Sequence, residues 1–368
     1  MTLNKFSSTE VELATEVTSG NVLTKQLEEV VESGALTCHK CSVWYPVMDY
    51  VPVLLVFSTT VHDRFAQTHA KEFGALKGFT PPKGKPEIGE KAVQDTFTDE
   101  WNMVQDNELS FIFTSKDLVE LNRQVWLRAL QDSRDQFKIV LNVGVGLGQE
   151  TNALKEAVGN CEIIGVDLNF AILHKGRESV TTPGIQFVVA SLYHLPFKTG
   201  SFDLVYSQGV LHHTYSTKNA FDAIEKFVAP RGSLFIWVYS LDSHLVQTGL
   251  RGMVARIKWG MEQVLRPTLS RSPKFLRDIF FSMLTVLYHP LMKGQVLHGD
   301  KWTFQNTNHQ LRDLFSPRFA HRHSYNQVFE WFENAGFRIK DVQSTGTYRR
   351  LFGKQMDGVG VLGERESN

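Results

Sequence analysis

The residues best placed to do chemistry fall into two groups along the middle of the chain. Gly144, Gly146 and Gly148 follow the apolar run Ile139-Val140-Leu141, and helix-forming residues begin directly after them. A buried strand, a tight glycine turn and a helix N-terminus make a backbone cradle that admits a ligand where any Cβ would collide. About twenty residues further on, Asp167 closes the run Ile163-Ile164-Gly165-Val166, at the distance expected of a carboxylate that accepts bonds from both hydroxyls of a ribose. The second group is Gln208, His212 and His213, which follow the apolar run that ends at Tyr206. At the carboxyl edge of an open α/β sheet, a histidine can take a proton from a bound molecule or orient it. Each ring can equally pack under the next helix and bond a backbone carbonyl.

The glycine spacing narrows the ligand. A nicotinamide or flavin fingerprint wants G-x-G-x-x-G, which would put the third glycine at 149, and residue 149 is Gln149. The observed pattern is G-x-G-x-G, and it argues against a dinucleotide.

These residues need a sheet to hold them. Strand candidates at 138–143, 161–166, 185–189, 202–207 and 233–239 alternate with helical stretches, which predicts a parallel sheet covered on both faces. A helix over Asn326 to Asn334, stopped by Gly336, precedes two more strand candidates at 337–343 and 357–363. Upstream, apolar spacing at Leu118, Leu121, Val125 and Leu130 predicts an amphipathic helix over 115–131. Residues 78–92, rich in Pro, Gly and Lys, read as a linker, and 21–33 as a short helix stopped by Gly34.

Cys38-His39-Lys40-Cys41 is one knuckle, half of a zinc-ribbon site, because a tetrahedral zinc wants four nitrogen or sulfur ligands. The third cysteine, Cys161, lies inside a strand candidate, so no metal site is expected. Lys plus Arg equals Asp plus Glu at 39 each, so no global basic field would collect nucleic acid. Three cysteines cannot build a disulfide framework, which suits a reducing setting. The start MTLNKFSSTEVELATEV has no basic n-region and apolar core, so no signal peptide is expected and a cytoplasmic location is.

Five blocks in order carry a family resemblance: the glycine turn, Ile163 to Asp167, Phe187 to Phe197, Ser201 to Thr214, and Ala229 to Tyr239. Over about 138–240 the chain resembles a class I S-adenosylmethionine-dependent methyltransferase, type 11-like. The resemblance implies a Rossmann-like seven-stranded sheet with a final antiparallel strand, and S-adenosylmethionine as cofactor. It implies that Asn142, Gly144, Gly146 and Gly148 border the methionine end, that Asp167 with Leu168 holds the ribose, and that Ser191, Leu192 and Ser207 complete the cofactor site. The family usually has an acid where this chain has Asn142, and often Asp where it has Ser191. Glu100 and Trp101 fall in a segment that resembles the substrate-covering arm of related methyltransferases. Around Cys38, Cys41 and Tyr45 to Leu55 the chain also resembles the small zinc-ribbon-like activator subunit of tRNA and release-factor methyltransferases.

The expected organisation is a small α+β zinc-ribbon-like domain over 1–62, a linker and substrate-covering arm over 63–114, and the methyltransferase domain over 115–368. A helical insertion at 241–322 is the expected seat of acceptor identity. Its basic amphipathic stretch, 250–292, suits either a lid or a membrane surface. His321 and Arg322 follow as candidates for an anionic group on the acceptor. The expected activity is methyl transfer to a small molecule, such as a natural-product, glycan or lipid-like intermediate, with His212 or His213 acting on it. A tRNA-modifying enzyme and a non-catalytic scaffold are the alternatives.

Overall fold

The structure is a computed structural model and describes all residues except 15–24, 102–108, 111, 134–135, 178–179, 181, 242–248, 355–356 and 367–368. Strand β1 (Thr2–Ala14) pairs antiparallel with β2 (Lys25–Cys38), from Thr2 opposite Thr37 to Ala14 opposite Lys25. The helix expected over 21–33 is therefore a strand from Lys25 onward, and the remainder of that span lies outside the described residues. Its helical spacing is overridden by a partner strand, since β propensity expresses what a segment packs and pairs against. Strands β3 (Val43–Met48) and β4 (Val51–Pro52) complete this sheet in the order β1-β2-β3-β4.

Helix α1 (Thr60–Thr68) is held at its start by a capping box between Thr59 and His62. Helix α2 (Glu90–Trp101) follows, then the short pair β5 (Leu109–Ser110) and β6 (Phe113–Thr114), and α3 (Ser115–Leu121). The helix expected over 115–131 is broken. Beyond Leu121 the backbone widens into a π turn at Asn122–Trp126 and then tightens at Arg128–Leu130. Where it widens, the Asn122 amide donates to the Leu118 carbonyl at 2.9 Å, a side-chain bond of the kind that competes with helix geometry.

The main sheet has seven strands: β7 (Ile139–Val143), β8 (Glu162–Asp167), β9 (Ile185–Val189), β10 (Phe202–Gln208), β11 (Val228–Val238), β12 (Phe337–Val342) and β13 (Val359–Arg365). Their order is β12-β13-β11-β10-β7-β8-β9; β13 runs antiparallel to both β11 and β12, and the other pairs are parallel. Strands β7, β10 and β11 sit at its centre, with Val140, Leu141, Leu204, Val205, Leu234 and Phe235 completely buried. Near-continuous apolar runs are what a sheet covered on both faces requires.

Helices α4 (Gln149–Val158), α5 (Phe170–Arg177) and α6 (Thr217–Glu225) connect successive strands. Between β11 and β12 lie α7 (Gly249–Leu269), α8 (Lys274–Gln295), α9 (Phe304–Phe315) and α10 (Tyr325–Asn334), and α11 (Thr345–Phe352) precedes β13. Helices α8 and α9 pack on each other through Phe281, Leu311 and Phe315. No described helix is long and apolar enough to cross a membrane.

The N-terminal chain reaches the main sheet. Leu54 N–H donates to the Val189 carbonyl at 2.7 Å, so the segment after β4 lies along the edge strand β9. Cys38 is half-buried, Cys41 is exposed, and no group of three or more metal-ligating side chains occurs among the described residues. His39, between the cysteines, lies 3.1 Å from the Thr2 hydroxyl and edge-on to Phe79.

Candidate active site

The turn after β7 is held open by backbone geometry. Gly144, Gly146 and Gly148 have φ of +81°, +53° and +78°, a region that side chains with a Cβ seldom adopt. At Gly144 a Cβ would also lie 2.2 Å from Val210 Cγ2, so only glycine brings the turn this close to the end of β10. Gly148 ends the turn as the N-cap of α4, directing the first N–H groups of the helix toward the ligand side.

Asp167, at the end of β8, is tied to this turn. Its Oδ2 accepts the Gly146 N–H at 2.9 Å and its Oδ1 accepts the Asn169 N–H at 3.0 Å. Burial pushes its carboxyl up to about 6, and the backbone N–H groups pull it partly back. Glu150, in the first turn of α4, is pushed up to about 7 by burial alone.

One cavity of about 520 Å³ joins these groups to the end of β10. Gly144, Gly146, Gly148, Asp167, Leu168 and Leu192 line it, and so do Gln208, His213, Trp101 and Arg322. Trp101 lies against Gly146, since a Cβ there would sit 3.4 Å from the indole. Its helix, α2, thus covers the glycine turn, and the Gln94 amide anchors that helix by donating to the Leu168 carbonyl at 2.8 Å.

Other expected residues stand behind the wall. The Asn142 amide donates to the Thr151 hydroxyl at 3.0 Å, Ser207 donates to the Val143 carbonyl at 3.1 Å, and the Ser191 hydroxyl accepts the Tyr193 N–H at 3.2 Å. All three are buried and do not line the cavity. Glu100 is buried beside His309, 3.6 Å away, and burial holds its carboxyl well above the usual range. His321 lies 3.1 Å from the Thr214 and Tyr215 carbonyls, outside the cavity lining.

The histidine pair divides. His212 is completely buried, neither ring nitrogen has a hydrogen-bond partner among the described residues, and its ring lies on Tyr239 at 3.8 Å. Burial depresses its pKa strongly, so it is a neutral packing residue at the base of the site. His213 faces the cavity. Its Nδ1 lies 2.9 Å from the Phe319 carbonyl, which can only accept, so the proton sits on Nδ1 and Nε2 is left as an acceptor. That Nε2 is 3.9 Å from Asp313 Oδ1, while Asp313 Oδ2 accepts the Tyr239 hydroxyl at 2.7 Å. Burial lowers the His213 pKa, and Asp313 partly opposes it.

Asp313, Tyr239, Glu262 and Glu150 line the cavity without having been expected there. Glu262 is 1% exposed, accepts from Arg322 at 2.9 Å through Oε2, and its Oε1 has no partner among the described residues. Asp313 on α9 and Glu262 on α7 had no sequence signal linking them to the sheet, because they lie 100 and 49 residues from His213 in the chain, on separate helices of the insertion. Glu150 was legible, as an acid two residues after the last glycine of the turn.

Residues 141–236 match the family model described as a methyltransferase domain. The chain is 29% identical over 105 residues to a malonyl-[acyl-carrier protein] O-methyltransferase of Legionella pneumophila, covering 28% of this chain and 37% of that protein. It is 28% identical over 137 residues to a Mus musculus protein named "Probable tRNA methyltransferase 9B", covering 35% of this chain and 28% of that one. The chain therefore spans well under half the length of these curated relatives. Among solved structures it is similar to a complex between the Haloferax volcanii Trm112 methyltransferase activator and a methyltransferase, at a TM-score of 0.41 and 14% identity over 75% of this chain and 98% of that one.

The matched segment runs from β7 into β11, five of the seven strands of the sheet. The chain thus carries a methyltransferase domain. That match, set in a sheet of seven strands, implies S-adenosylmethionine as the cofactor. The residues present fit that cofactor: an open glycine cradle, a strand-end carboxylate beside it, and Leu192 on the apolar wall beyond.

Proposed function

We propose that the chain methylates a small molecule bound beside the cofactor, and that His213 orients or deprotonates it. The observation that supports this reading is one continuous cavity lined by the glycine turn, Asp167 and His213. A bound S-adenosylmethionine supplies an electrophilic methyl group on a sulfonium. Gly144 and Gly146 admit its methionine end, and Asp167 and Leu168 take the ribose. Ser191 acts through the backbone it caps, setting Leu192 and Tyr193 against the adenine. Asn142 and Ser207 hold the strand ends from behind.

Much of the catalysis then comes from proximity in a water-poor site, closed by Trp101 from α2 and by the inner sides of α7 and α8. A hydroxyl or protonated amine presented to His213 would give its proton to Nε2, leaving the acceptor oxygen or nitrogen with a free electron pair. Asp313, fixed by Tyr239, faces the imidazolium that forms. Gln208, Arg322 and Glu262 offer the polar contacts that position the acceptor. His321 and Glu100 support this wall from outside, and His212 packs beneath it. The N-terminal unit, 1–62, is proposed as a metal-free part of the fold built into the edge of the main sheet.

Calorimetry with S-adenosylmethionine tests the reading first, followed by release of S-adenosylhomocysteine over a panel of amphiphilic, glycan and natural-product acceptors. Cofactor binding with acceptor-dependent turnover supports it, and absence of binding overturns it. A salt-sensitive complex with tRNA would move the acceptor to nucleic acid, against the neutral charge of the chain.

A further inference from the structure

Helices α7 and α8 each have two unlike sides. Toward the interior, Glu262 on α7 and Tyr288 and Met292 on α8 line the cavity. Toward solvent, α8 exposes Phe275, Leu276, Ile279, Met283, Val286 and Leu287, with Leu287 72% exposed. Advancing by about 100° per residue, these side chains fill an arc of roughly 120°, and Leu291 extends it to roughly 160°. Tyr288 and Met292 stand about opposite its centre. Helix α7 repeats the pattern with Met253, Ile257, Met261 and Val264 exposed within an arc of roughly 80°, and Glu262 turned away from it. Scattered exposed apolar residues are ordinary, but apolar faces on two consecutive helices are not.

The charges say what these faces meet. Residues 249–295 carry eight Lys and Arg against two Asp and Glu, in a chain whose totals are equal at 39. Both acids are neutralised inward: Glu262 is buried against Arg322, and Asp278 bonds Arg312 at 2.8 Å. Arg256, Arg271 and Lys293 are exposed beside the apolar faces, while Lys274 is paired with Asp99 and Asp278. A broad apolar arc with a basic rim, on helices too polar to span a bilayer, is the profile of an element lying in the plane of an anionic lipid interface.

We infer that the outer faces of α7 and α8 dock on an anionic membrane surface and hold the cavity mouth at that interface, for an acceptor borne by the lipid phase. The docking depends only on the surface. The class of acceptor rests on the methyltransferase reading.

The full chain is mixed with phosphatidylcholine vesicles with and without phosphatidylglycerol and sedimented, while calorimetry with S-adenosylmethionine is run on the same samples. The expected result is at least about tenfold more protein on the anionic vesicles, weakened by salt. Ile279→Glu with Leu287→Glu should abolish vesicle binding and leave cofactor affinity within about twofold. Arg271→Glu and Lys293→Glu should each reduce anionic binding about fivefold or more. Equal or absent partitioning onto both vesicle types overturns the inference. So does a dimer in sedimentation velocity that Ile279→Glu dissociates, because a second copy then covers the faces. Loss of cofactor binding in the parent chain would instead sink the methyltransferase reading and leave the docking result standing.

Discussion

Glu150 and Asp167 are held above the ordinary carboxylate range within one cavity, at about 7 and about 6, with burial the leading cause for both. The folded state therefore keeps protons that the unfolded chain has already released between the ordinary range and these values. Stability of the ligand-free protein falls as pH rises through that window. Glu150→Gln should raise unfolding free energy by about 2 kcal/mol above about pH 7, measured by urea denaturation. The same variant should bind S-adenosylmethionine about tenfold more weakly in calorimetry, because Asn142 is neutral and turned to Thr151. Glu150, two residues beyond Gly148 on the cavity wall, is then an acid available to the cofactor's ammonium. A variant that gains stability and keeps full affinity would remove Glu150 from cofactor binding. His213→Gln makes a different prediction: turnover falls about a hundredfold or more while cofactor affinity stays within about threefold. The buried ring has a lowered pKa, so the proton-accepting form prevails at neutral pH, and the parent rate should be flat there and decline only in acid.

At the scale of the element, the glycine turn and the helix after it form one device. Gly144→Ala would force a Cβ into a left-handed backbone position and within 2.2 Å of Val210 Cγ2. The expected cost is about 2–4 kcal/mol, read as a lowered urea midpoint with weakened cofactor binding. A variant with the parent midpoint would mean that the turn relaxes without its glycine. This device was fully legible in the sequence, because a buried parallel strand, a glycine turn and a strand-end acid all leave local traces. The sheet was legible for the same reason: Ile139 to Val143 and Ile185 to Val189 are apolar runs bounded by turns. Strand β2 was not, since nothing within residues 25–38 announces the partner that pairs with it from Thr2 to Ala14. Nor was the Tyr239–Asp313–His213 cluster, whose members come from three elements and meet only because α9 crosses the carboxyl edge of the sheet. The division within the histidine pair was equally closed to sequence, because a one-residue offset decides which ring faces the cavity and which faces Tyr239.

The N-terminal chain and the methyltransferase domain share a core at the scale of the whole molecule. Val51, Val53, Leu55 and Phe57 pack with Val145, Phe170, Leu173, Phe187 and Val189, which reach from the glycine turn to the edge strand. A second cluster, Ala35, Trp44, Phe65 and Leu76, ties the N-terminal sheet to α1 and to the chain beyond it. Burying a large apolar side chain is worth about 1.5–3 kcal/mol, so the four residues from Val51 to Phe57 contribute on the order of 6–12 kcal/mol. That is comparable to the whole stability of a typical domain, about 5–15 kcal/mol. The edge strand β9 would also lose the partner that the Leu54 N–H gives it, leaving an exposed template for aggregation. A chain starting after residue 80 should therefore be insoluble or, if recovered, fail to bind S-adenosylmethionine. Leu54→Pro, which removes that N–H and fixes φ there, should cost a smaller amount, about 1–3 kcal/mol, read as a lowered urea midpoint. A truncated chain that stays monomeric and binds the cofactor with parent affinity would show that the N-terminal sheet is an appendage. The full effect together with the smaller one would make it a structural wall of the cofactor site, since Val145 of the glycine turn stands directly on it.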